Sequence, residues 1–379
     1  MPSYNRQLYN INALYVGPSP ATGYHFTNSA KTGTQADSLI EQFHRITSFN
    51  DTFNIPLEGA TQVGQLAEFT RQPLGTPTPG LTFDYYLHNG VNEDRLGFSI
   101  DGSVSFLSGI LNKQEDEKNY FLLFVPEGSD AAGYDLSANA SSVKVVGIGN
   151  GYLTNWSLNA SVGDFATCSA SIEGLNYAIK TGFESVTIPA VNPDDGSLIT
   201  NNYYSLPDAT TGVAGMPKII KRGDIEVDFT SMAGLMGVQL DQSSVGAAHI
   251  QSISLDVPLN RTPLERLTSK YAFSREPDFP INATLSVETL VSDLNTGLLA
   301  NYLGCGLTEY DFTITFKSCE GNVTTPVFKV IASGATLDQQ SFQQAAGSAG
   351  RSATINFTIP LASAESQYPV LKLSGSYSP

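Results

Sequence analysis

One block of this sequence occurs twice. Residues 44–73, HRITSFNDTFNIPLEGATQVGQLAEFTRQP, align without a gap on residues 248–277, AHIQSISLDVPLNRTPLERLTSKYAFSREP. Ile46 meets Ile250, Ser48 meets Ser252, Phe69 meets Phe273, Arg71 meets Arg275 and Pro73 meets Pro277. The apolar positions agree further: Phe49 with Ile253, Phe53 with Val257, Ile55 with Leu259, Ala60 with Leu264 and Val63 with Leu267. Four more blocks follow the same order. LTFDYYL (81–87) pairs with ATLSVETLV (283–291), and NYFLLFV (119–125) with YDFTITF (310–316). Residues 151–174 pair with 335–360, and 10–26 with 224–240. A self-similarity of this length means one supersecondary unit built twice, so it constrains the fold before any single motif does.

Inside each copy the pattern is that of strands. Ile46, Ser48 and Asn50 alternate with Phe49, Asp51 and Phe53, a period near two. Charged residues are only 15% of the chain, Ser, Thr, Asn and Gln take their place, and Gly (34), Tyr (17) and Phe (20) are plentiful, which suits sheets with many turns better than a helical bundle. Two helices are expected. One starts at residues 260–265, where Thr262 suits the cap, Pro263 the first turn, and Leu264, Leu267 and Tyr271 share a face. The other covers Asp37–Arg45 through Leu39, Ile40 and Phe43. LNKQEDEK (111–118) reads as a charged loop. Residues 186–218 are rich in Pro, Gly, Asn and Asp and read as a connector, which Leu198, Ile199 or the Tyr203–Tyr204 pair could anchor or extend into a strand.

The expected architecture is therefore mainly β. Two tandem β-sandwich or barrel modules, each with a short flanking helix, occupy 1–185 and 222–379, with a linker over 186–221.

Thirty-six acidic against 20 basic residues give a formal net charge of −16, which repels phosphate and argues against specific nucleic-acid binding. The first residues, MPSYNRQLYNINALYV, lack the basic and apolar regions of a signal peptide, and no apolar run suffices to span a bilayer, so synthesis in the cytoplasm is expected. Cys168, Cys305 and Cys319 lack the spacing of a disulfide framework or a zinc site.

Candidate chemistry is sparse. VVGIGNG places Gly147, Gly149 and Gly151 after a strand, but strand-like YLTNWSLNAS follows where a phosphate loop needs a helix, so a turn or bulge is expected there. His25, His44, His88 and His249 have no marked nucleophile beside them and no metal-binding spacing. Asp194–Asp195 and Glu115–Glu117 read as solvated loop acids rather than paired catalytic carboxylates. No catalytic, cofactor or metal residue is assigned, and the chain is not expected to be an enzyme.

SISLDVPLNRTPLERLTSKYAFSREPDFPINATLSVE (252–288), with a long hairpin-like polar strand after it, resembles the tail tube proteins of tailed bacteriophages. The likeness covers most of 224–379 and, more faintly, 10–185. It implies a sandwich or barrel whose long hairpins join side by side into rings, the rings stacking into a hollow tube in the virion. Six single modules usually make a ring, and two fused modules per chain imply three chains in a pseudo-hexamer. Implied partners are further copies of the chain, a tape measure protein, a tail terminator and baseplate or tail-tip proteins. DNA passes through the lumen without specific binding, no membrane is involved, and lumen-facing positions are expected to carry an excess of Asp and Glu. Other readings are a tail-completion, baseplate or capsid decoration protein, and a carbohydrate-binding adhesin using tyrosines and Trp156 as stacking platforms.

Overall fold

Along Asn282–Val291 every second side chain from Ala283 to Thr289 is buried and those between face outward. That period of two governs most of the chain, and the protein is mainly β. The computed structural model describes residues 9–18, 40–112, 116–182 (less 127 and 137), 186–212 (less 188, 193–195, 200–202 and 205), 219–229 (less 221 and 222), 238, 249–291, 309–343 (less 321 and 322), 351–361 and 370–376.

The N-terminal strands are β1 (Tyr9–Pro18), β2 (Glu41–Phe43), β3 (Ile46–Asn54), β4 (Leu57–Ala60), β5 (Thr70–Pro73) and β6 (Thr78–Tyr86). Two short helices, α1 (Val91–Arg95) and α2 (Ser108–Leu111), precede β7 (Glu117–Pro126), β8 (Lys144–Ser161), β9 (Thr167–Glu173) and β10 (Asn176–Thr181). The connector holds β11 (Val186–Thr187) and β12 (Tyr203–Tyr204). The C-terminal strands are β13 (Ile225–Phe229), β14 (His249–Pro258), β15 (Arg261–Leu264), β16 (Ser274–Pro277) and β17 (Asn282–Val291). They continue as β18 (Glu309–Glu320), β19 (Val323–Gln343), β20 (Arg351–Pro360) and β21 (Leu371–Gly375).

The pairing order repeats. In the N-terminal set it runs β1-β7-β8-β9-β6-β3 with β10 also on β8; in the C-terminal set it runs β13-β18-β19-β20-β17-β14 with β21 also on β19. All of these pairs are antiparallel. The hairpins stand a constant 204 residues apart, with β15 at 261–264 against β4 at 57–60 and β16 at 274–277 against β5 at 70–73. Their turns close alike: Phe69 N–H donates to Ala60 at 2.9 Å and Phe273 N–H to Leu264 at 2.9 Å.

β8 and β19 each serve two layers. The first part of β8 pairs with β7 and β10, and the part from Tyr152 onward pairs with β9. The layer change falls at an irregularity around Asn150, which has φ 51, and its counterpart in β19 is Gly334, with φ 73. The bulge expected near VVGIGNG is thus present, inside one continuous strand.

Several expectations need correction. Residues 261–277 form the β15–β16 hairpin, not a helix; Thr262 Oγ1 donates to Asp278 and caps nothing. Strand pairing satisfies this backbone while Arg261 and Arg275 reach across to the N-terminal set, a tertiary gain that overrides local helix spacing. In Asp37–Arg45 the described residues 41–43 are strand β2, paired with β1; 37–39 lie outside the described residues. The flanking helices α1 and α2 lie instead between β6 and β7, and no helix is described in the C-terminal set. Glu117 and Lys118 are not loop residues but the buried start of β7. Finally, β7 and β18 correspond one residue away from the sequence alignment: Tyr120, paired with Ile148, matches Phe312, paired with Ala332. A one-residue slip reverses every side chain, so this register decides which face is apolar.

β7 reads YFLLFV because both its faces are covered. One side packs into the main core; the other, through Phe121, Leu123 and Val125, packs beneath Val186, Ala190, Leu206 and Ala209 of the connector. β18 alternates instead, its outer face only partly buried, with Lys317 and Glu226 2.5 Å apart on it.

Candidate assembly edges and the polar sheet face

The two sets are joined by strand pairing. β14 lies between β17 and β8, antiparallel to both, in the register Ser252–Ser161 through Pro258–Asn155. This seam merges β3, β6, β9, β8, β14, β17, β20 and the second part of β19 into one continuous layer. Beyond it the β15–β16 hairpin lies across β8 and β9. Leu259 N–H donates to the Thr154 carbonyl at 2.8 Å and Arg261 Nε to Leu153 at 2.8 Å. Arg261 also pairs with Asp116 at 2.6 Å, and Arg275 with Glu173 at 2.5 Å. A second contact joins residues 99–106 to β21, through Gly375 N–H on Ile100 and Phe106 N–H on Leu371, both within 3.1 Å.

Among the described residues the layer ends at β3 on one side and at the second part of β19 on the other. These are the counterparts of β14 and β8, the two strands that make the internal seam. Phe53 is 64% exposed and Ile55 48%, whereas their counterparts Val257 and Leu259 are at 0%. Phe342 is 48% exposed, whereas its counterpart Leu158 is at 1%. Gln340, in the place of Trp156, has both amide atoms buried with no hydrogen-bond partner. Leu57, Val63, Leu66, Phe69 and Leu74 continue the exposed apolar run along the β4–β5 hairpin. Sequence reasoning missed Phe53 and Phe342 as surface residues, because in a strand pattern they are indistinguishable from core. The signal was available by pairing each with its buried counterpart and asking what covers only one of the two.

The outward face of this layer is mostly Ser, Thr, Asn and Gln, with Tyr86, His249 and Leu290 also at outward positions. Across the seam Ser254 Oγ donates to Asn159 at 2.6 Å and Asn155 Nδ2 to Asp256 at 3.2 Å. The charged residues at its paired outward register positions are Asp84, Glu173, Asp256 and Glu288, and among the described residues none of those positions holds Lys or Arg. Glu173 is neutralised by Arg275 from the hairpin, which leaves three acids.

The residues singled out from sequence are otherwise structural. Gly147 and Gly149 let Pro189 of the connector lie against β8; a Cβ on Gly149 would collide with the Pro189 carbonyl. Trp156 is fully buried against Phe98 and Phe106, donating to the Tyr85 hydroxyl at 3.0 Å, so it offers no stacking platform. Glu117, contrary to expectation, is buried and accepts from Asn150 at 2.6 Å and Tyr152 at 3.0 Å. His44 and His88 are buried and His249 is exposed; His25, Glu115, Asp194 and Asp195 lie outside the described residues. Tyr85 donates to Glu93 at 2.8 Å, and burial pushes the Glu93 carboxyl up to about 7. Among the described residues no group of three His, Cys, Asp or Glu is placed to hold a metal, and no helix is long and apolar enough to cross a membrane.

No protein-family model matches this chain, and a search of curated proteins finds no significant relative.

Proposed function

We propose that this chain is a structural subunit that assembles head to tail into rings, the rings stacking into a hollow tube of the bacteriophage tail type. The chain then consists of two duplicated modules, 1–185 and 222–379, with 186–221 as the connector. One observation carries the reading: the seam between the two strand sets leaves its own two halves, a β14-like strand and a β8-like strand, open at opposite ends of one layer. Edge strands are normally protected in soluble monomers, and here both carry exposed phenylalanines. A contact between unlike edges is heterologous, and it yields a ring if the rotation closes or a filament if it does not. Three chains, six modules, give the ring that the family resemblance implies.

The polar layer face supports the assignment of a lumen. A wall with acids and no Lys or Arg holds no phosphate, so DNA slides past it without release of bound counterions to anchor it. Its hydroxyl and amide groups keep the wall wet. On this reading the protein has no catalytic role, is made in the host cytoplasm and resides in the virion tail, where tape measure, terminator and tail-tip proteins are its neighbours.

Electron microscopy of the purified chain at rising concentration, alone and with other tail proteins, tests the proposal. Hollow tubes with three-chain rings are expected. A chain that stays monomeric under all these conditions overturns it, and isolated rings that never stack point to a different ring-forming virion component.

A further inference from the structure

We infer that the seam between neighbouring copies repeats the internal β8–β14 seam residue for residue, β3 of one copy adding antiparallel to β19 of the next; this rests on the ring reading above. The correspondence that fixes the register is internal to the chain. β3 and β14 differ by 204 residues, shown by the hairpins and by Gly80 and Thr284, each at the same place in its sheet. β8 and β19 differ by 184, because Tyr152 and Leu153 pair with β9 before a skipped residue as Thr336 and Leu337 pair with β20 before one.

Carrying the internal pairs Pro258–Asn155, Asp256–Ser157 and Leu255–Leu158 across these spacings gives Asn54 opposite Gln339, Thr52 opposite Ser341, and Asp51 opposite Phe342. The internal bond from Leu259 N–H to Thr154 becomes one from Ile55 N–H to the Asp338 carbonyl of the next copy. The consequences match the exposed surface. The inward positions Phe53 and Phe342, exposed in the single chain, become covered as Val257 and Leu158 are. The outward positions on both sides are Asn, Thr, Gln and Ser, as at the internal seam, so the polar face continues unbroken around the ring.

The ionic part of the internal seam is not repeated. Leu57 stands where Arg261 does, Arg71 where Arg275 does, and Thr358 where Glu173 does. The β4–β5 hairpin therefore grips its neighbour by apolar contact, through Leu57 and Phe69, where the β15–β16 hairpin uses arginines. Contact between copies accordingly does not weaken with added salt as a seam held by paired surface charges would.

Oxidative cross-linking of the full-length chain tests the register. Thr52 and Ser341 face outward, so Thr52→Cys and Ser341→Cys leave the core untouched. In the assembled double variant, non-reducing gels are expected to show a ladder ending at the trimer and collapsing with reductant. A mixture of the two single variants is expected to give dimers only, and neither single variant alone any. The pair Thr52→Cys with Gln343→Cys, two residues out of register, is expected to link at least about tenfold less, since diagonal neighbours stand farther apart. Equal linking of the shifted pair overturns the register. Tubes seen by microscopy with no linking above the single variants overturn the seam while leaving the ring. Absence of any assembly overturns both.

Discussion

Asn119 accepts, through Oδ1, a hydrogen bond from the backbone N–H of Asn150 at 3.2 Å, and Asp311 does the same for Gly334 at 2.9 Å. Each acceptor sits at the skipped position of β7 or β18, and each donor at the left-handed residue where β8 or β19 changes layers. A strand that turns from one sheet into another must leave a backbone donor unpaired at the corner, and the side chain from the neighbouring strand fills that need. Asp311→Ala removes the acceptor and is expected to cost about 1–3 kcal/mol. Gly334→Ala places a Cβ at φ 73 and is expected to cost about 1–2 kcal/mol. Urea melts of the two variants check this; no loss in either would mean that the corner is not under constraint.

Gly149→Ala addresses the connector. Its new Cβ meets the Pro189 backbone, and β8 cannot retreat because β7 and β10 flank it there. The connector is expected to lift locally, which loosens the Val191 amide from the Asn150 side chain at 2.6 Å and exposes Phe121 and Leu123. Limited proteolysis should cut the variant within about 186–210 far faster than the parent, with the β-sheet signal in circular dichroism retained. Unchanged proteolysis would show that the glycine is not what admits the connector.

Much of this was legible in the sequence where physics acts locally. NATLSVETLV alternates because β17 buries one face, and YFLLFV does not alternate because the connector covers the second face of β7. What was not legible depends on distant partners. Leu264, Leu267 and Tyr271 have helical spacing, yet Leu267 is fully exposed at the hairpin turn while Tyr271 packs near Val191. The match of NYFLLFV to YDFTITF slipped by one residue because aromatic residues occur on both faces of β7, so the strand's own pattern could not fix the phase. The buried Glu117 looked like loop acid because its partners, Asn150 and Tyr152, lie more than 30 positions away.

Stability against pH should show opposing slopes. Burial pushes Glu93 up to about 7 from its ordinary 4.5, so the folded chain holds that proton longer than the unfolded chain. This contribution is fully present below about 4.5 and is lost as pH rises through 7. Burial holds His44 down to about 3, with Arg95, His88 and Arg45 adding to it, and holds His88 down to about 4. Those contributions are present above 6.5 and are lost as pH falls through the folded values. Glu93→Gln keeps an acceptor for Tyr85 and removes the first slope. Relative to the parent it is expected to gain about 3 kcal/mol between pH 4.5 and 8, at about 1.4 kcal/mol per pKa unit. Parallel pH profiles of the two proteins would refute the assignment.

Phe342 and Leu158 occupy equivalent places, one on an open edge and one inside the internal seam, so the same substitution separates folding from assembly. Leu158→Ser removes a side chain from the core and leaves a buried hydroxyl, at an expected cost of about 3–5 kcal/mol. Phe342→Ser acts on a half-exposed residue and is expected to change the stability of the single chain by less than about 1 kcal/mol. If β19 receives β3 of the next copy, the same change removes a buried aromatic contact from every junction in a ring. The concentration needed for assembly should then rise at least about tenfold, the effect of about 1.4 kcal/mol per junction. Denaturation curves and sedimentation of paired samples read the two quantities independently. Phe342→Ser protein that unfolds early would place Phe342 in the core of the single chain, and protein that assembles like the parent would remove β19 from the contact.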